Sequence, residues 1–94
     1  MSIPIAYRQE WGDLHGWCKL DLTWPEVTCE SIILATASEY EADEHGRGYQ
    51  CNHYGDARYT VHNICPYDGG VIVRLEIDWP DPLATRVDYI LMNP

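Results

Sequence analysis

The sequence contains no phenylalanine, a single lysine and no long apolar run. The missing phenylalanine leaves seven Tyr and four Trp as the large rings, and both types carry a polar edge that suits half-buried surfaces as well as cores. Without a stretch of some twenty apolar residues there is no candidate membrane helix, and the start of the chain, Met-Ser-Ile-Pro-Ile, does not read as a secretory leader. The expected setting is therefore cytoplasmic and reducing. There the four cysteines (Cys18, Cys29, Cys51 and Cys65) should be thiols or metal ligands before they are disulfides. Basic residues are scarce: Lys19 and five arginines face fifteen acids, for a net charge of −9. Such a charge repels phosphate backbones and argues against direct nucleic-acid binding, while it speeds encounter with basic partners. Solubility or a salt-adapted host would account for it equally well.

What is present is an internal repeat. Residues 19–26 read Lys-Leu-Asp-Leu-Thr-Trp-Pro-Glu and residues 74–81 read Arg-Leu-Glu-Ile-Asp-Trp-Pro-Asp. Charge, apolar alternation and the Trp-Pro pair agree position by position, which suggests a duplicated β unit over 13–36 and 68–92. Further on, Ile33 and Leu34 align with Ile90 and Leu91 if the second copy has a turn longer by two residues. The alternation has the period of a strand. It places Cys18, Leu20, Leu22 and Trp24, with Val73, Leu75, Ile77 and Trp79, on inner faces. Lys19, Asp21 and Thr23, with Arg74, Glu76 and Asp78, fall on solvated outer faces. Pro25 and Pro80 should end their strands, with return strands over 27–36 and 84–92. Leading strands over 3–10 and 57–65 would join across Gly12-Asp13 and across 66–70. The fold expected is one mainly β domain, residues 1–94, of about six antiparallel strands. They would form two three-stranded meanders in a small barrel or sandwich.

The copies are joined by a polar, acidic connection over 38–56. Ser38-x-x-Glu41 has the pattern of a capping box and would open a short helix ending at Gly46; an acidic loop is the alternative. Aromatics and acids interleave here: Glu39, Tyr40, Glu41, Asp43, Glu44, Tyr49, Tyr54 and Asp56. Aromatic anchors within an acidic rim suit a basic protein surface. Cys51-x-His53 and His62-x-x-Cys65 supply two thiols and two imidazoles, the donor set of a tetrahedral zinc site, against the plainer reading of small buried cysteines and surface histidines.

No Gly-x-Ser-x-Gly, His-Glu-x-x-His or phosphate-cradling loop occurs, so no enzyme motif is present. In size and charge alone the chain resembles the phage-encoded inhibitors of nucleic-acid enzymes, anti-CRISPR proteins among them, and bacterial toxin-immunity proteins. That resemblance covers no motif and transfers no residues. The function expected is a non-catalytic inhibitor or immunity-type protein, of phage or bacterial type, that blocks a basic, nucleic-acid-handling partner without binding nucleic acid or membrane itself. A structural or assembly subunit, of virion type, and a zinc-stabilised interaction module are the alternatives.

Overall fold

A computed structural model describes residues 3–41 and 51–94. Six strands follow one another: β1 (Ile5–Leu14), β2 (Gly16–Thr23), β3 (Ile32–Glu39), β4 (Arg58–Tyr67), β5 (Gly70–Asp78) and β6 (Leu83–Met92). All pairings are antiparallel. They make two three-stranded sheets, ordered β1-β6-β3 (the first sheet) and β2-β5-β4 (the second sheet). These lie against each other as a sandwich rather than a closed barrel. Among the described residues there is no helix, and so none long and apolar enough to cross a membrane.

The strands do not run as two meanders. Only β4 and β5 pair with a sequence neighbour, through the two-residue turn Asp68-Gly69, where Gly69 supplies a φ of 100°. Both Trp-Pro segments, expected as hairpin turns, are arches that carry the chain from the second sheet to the first: β2 to β3, and β5 to β6. The repeats then pair with each other, β2 on β5 and β3 on β6. The physical reason is burial. A strand with one apolar face needs an apolar layer opposite, and an arch puts the two strands of one copy into opposing layers.

The core follows the alternation. Leu20, Leu22 and Trp24 from one copy meet Val73, Leu75 and Ile77 from the other, and Val87, Tyr89 and Leu91 close the layer from the first sheet. Each such side chain contributes about 1.5–3 kcal/mol by leaving water. Trp24 reaches across the layers, with ring centroids 5.6 Å from Tyr7 and 6.2 Å from Tyr89. The Tyr59 hydroxyl lies 3.2 Å from Thr85 Oγ1, a polar tie between the sheets. Burial pushes the Tyr89 hydroxyl up to about 12.

Three local expectations are corrected. Gly12 does not end a strand: it forms a bulge within β1, at φ 83°, and the chain turns at His15 instead. Ser38 caps no helix. It is a β3 residue opposite Arg86, and the Tyr40 N–H donates to the Ala84 carbonyl, so the ladder takes the backbone groups a helix would need. The downstream alignment of the copies is out of phase. Ile33 and Leu91 are buried while Leu34 and Ile90 are exposed, so the second turn must differ by an odd number of residues to keep inner faces in step.

Candidate interaction groove between the repeats

Strand β3 continues into a short ladder with the chain that returns from the connection. The Glu41 N–H donates to the Cys51 carbonyl at 3.0 Å, and the His53 N–H to the Glu39 carbonyl at 2.9 Å. Arg86, a β6 residue only 3% exposed, holds this ladder down. Its guanidinium donates to Glu10 Oε2 at 2.8 Å and to Asn52 Oδ1 at 3.3 Å, and its Cζ sits 4.7 Å from the centre of the Tyr40 ring. Tyr40 is thus tied to the scaffold through Arg86 and is half-buried.

Beyond the ladder, residues 53–57 wall two adjoining hollows of about 250 and 390 Å³ that share Glu39, His53, Tyr54, Gly55 and Ala57. Tyr54 is fully exposed, at 102%. Asp56 and Trp79 line the larger hollow. His53 Nδ1 lies 3.3 Å from Glu41 Oε2. Gly55 allows the fit: a Cβ there would stand 3.0 Å from the His53 ring and 3.4 Å from Glu39 Oε1. The negative charge is felt inside, since Glu39 helps raise the Tyr59 hydroxyl after the larger effect of burial. Neither hollow has a lysine or arginine in its lining.

Of the residues singled out for partner binding, Glu39, Tyr54 and Asp56 line the groove, and Glu41 joins it through His53. Asp43, Glu44 and Tyr49 lie outside the described residues. The four zinc candidates are distributed differently from a single centre. His53 belongs to the groove, whereas His62 stacks on Trp17 with centroids 4.5 Å apart and touches Glu76 at 3.0 Å on the second sheet. Cys65 is exposed on β4 and Cys51 half-buried, and all four cysteines are unpaired thiols. Among the described residues no three His, Cys, Asp or Glu are grouped to hold a metal ion.

Sequence reasoning missed Trp79, Arg86 and Gly55. Trp79 was expected in the core by analogy with Trp24, yet it is 38% exposed against 8%. The signal was available in the turns. The first copy follows Pro25 with Glu26 and Val27, and Val27 buries; the second follows Pro80 with Asp81 and Pro82, and both are exposed. Comparisons with protein families, with curated proteins and with solved structures found no match.

Proposed function

We propose that the protein is a non-catalytic, cytoplasmic binding protein that presents this groove to a basic partner, of the kind found on nucleic-acid-handling enzymes. The observation that carries the reading is Tyr54. A wholly exposed ring stands at the lip of an open hollow walled by carboxylates. An aromatic anchor that buries on contact, ringed by charge complementary to a basic surface, is the arrangement expected of a binding hot spot. The test begins with a partner captured from a host lysate and then measured with purified components. Exchanging Glu39, Glu41 and Asp56 for lysine should weaken binding by about 100-fold and flatten its salt dependence. Tyr54→Ala should cost about 2 kcal/mol of affinity with unchanged melting. Undiminished binding by the charge-reversed protein would refute the reading.

A specific observation favours the assembly reading as the second. On the outer face of the first sheet Leu34 lies opposite Ile90 and Ile32 opposite Met92, all exposed. Light scattering decides: a concentration-dependent dimer abolished by Leu34→Glu supports it, and a monomer at working concentration removes it.

A further inference from the structure

In the second sheet the two repeats meet at matching positions. The register of β2 on β5 sets Lys19 opposite Arg74, and these residues are equivalent in the two copies. A local two-fold axis therefore passes between them. Both side chains are exposed on the outer face. Like charges directly opposite on adjacent strands repel and destabilise a sheet. The acids beside them are hydrogen-bonded to other groups and form no ion pair with either cation. Asp21 accepts a hydrogen bond from the Tyr67 hydroxyl at 2.5 Å, and Glu76 lies 3.0 Å from His62 Nε2. None of the ion pairs among the described residues includes Lys19 or Arg74.

The pair is flanked by two hollows at the apolar corners of this two-fold arrangement. One, of about 410 Å³, is lined by Trp17, Cys18, Lys19 and Arg74; the other, of about 360 Å³, by Asn63, Cys65 and Ile72 with the same two cations. The first is of a size that holds a small ligand. Trp17 walls this hollow with a ring 63% exposed, and His62 lies beside that ring with centroids 4.5 Å apart.

We propose that this face binds a nucleoside monophosphate, with the phosphate between Lys19 and Arg74 and the base on Trp17. A phosphate monoester carries close to two negative charges and so matches both cations, where a carboxylate would match one. The exposed indole of Trp17 is bicyclic and so broader than a single six-membered ring, which suits a purine. The net charge of −9 works against a long polyanion, so the ligand is the free nucleotide rather than a nucleic-acid strand. None of these residues belongs to the groove, so the site stands or falls separately from the proposed function.

Titration of the ¹⁵N-labelled full chain with adenosine monophosphate at low salt tests this. Saturable shifts at the Trp17 indole N–H and the Arg74 amide are expected, with a Kd below ~1 mM. The double variant Lys19→Gln, Arg74→Gln should bind about tenfold more weakly while melting no lower than the parent. Trp17→Ala should weaken the nucleotide about fivefold and leave inorganic phosphate binding unchanged. Absence of saturation, equal binding by the double variant, adenosine binding as tightly as the monophosphate, or a single-stranded oligonucleotide binding more tightly than the monophosphate would overturn the proposal.

Discussion

The two Trp-Pro arches share a sequence and differ in fate. At the first, the Trp24 N–H donates to the Gly69 carbonyl at 2.8 Å, the Gly69 N–H to the Val27 carbonyl at 2.9 Å, and the Cys29 N–H to Asp68 Oδ1 at 2.8 Å. The β4–β5 turn is thus pinned into the arch, and Asn93 closes it from the C-terminal side by donating to the Glu26 carbonyl at 3.1 Å. At the second, the Trp79 N–H turns back to its own strand at Ile77, and the ring faces the groove. One motif thus serves as a locked corner of the sandwich and as a wall of the groove. The local sequence sets the arch; what docks on it decides whether its tryptophan becomes core.

Substitution of the two tryptophans breaks this comparison most directly. Trp24→Ala should cost about 3–5 kcal/mol, since it empties the space between Tyr7 and Tyr89. Trp79→Ala should cost less than about 1 kcal/mol and act on partner affinity instead. Denaturant melts of the two variants check this, and equal losses would mean that the arches are equivalent after all. Next in size is the pin. Gly69→Ala places a Cβ on a residue at φ 100°, and Asp68→Ala strips the Cys29 N–H of its acceptor. Each should lower stability by about 1–2 kcal/mol.

The alternation of Leu20, Leu22 and Trp24 against Lys19 and Asp21 was enough to read strands, inner faces and most of the core, because a two-residue period has only one way to bury an apolar side. The pairing partners were not legible. An arch and a hairpin both follow Thr-Trp-Pro or Asp-Trp-Pro, and the choice depends on which layer faces the apolar side, a long-range matter. For the same reason Trp79 was assigned inward. Of the groove, the acids and Tyr54 were visible as composition, but Arg86 was not. Its role depends on Glu10, Asn52 and Tyr40 converging from three distant segments.

Alkali should separate the core from the groove by a smaller effect. The Tyr89 hydroxyl is raised to about 12 by burial, so its ionised form is disfavoured in the folded state. A raised folded value means the stabilising contribution is complete below the unfolded tyrosine value near 10 and is lost as the pH climbs toward 12. The melting temperature should accordingly fall by a few degrees over that window, and Tyr89→Phe should reduce the fall.

The smallest effect expected is also the one that isolates the motif itself. Proline stabilises largely by restricting the unfolded chain, and that restriction is the same wherever the residue sits. Pro25→Ala and Pro80→Ala should therefore cost alike, about 0.4–1 kcal/mol each, even though one arch is pinned and the other open. A matched pair of small losses would assign the difference between the arches to the docking of the 68–69 turn and not to the Trp-Pro pair. A markedly larger loss at Pro25 would place part of the lock in the proline ring itself, and the first arch would then owe its burial to its own sequence as well as to its neighbours.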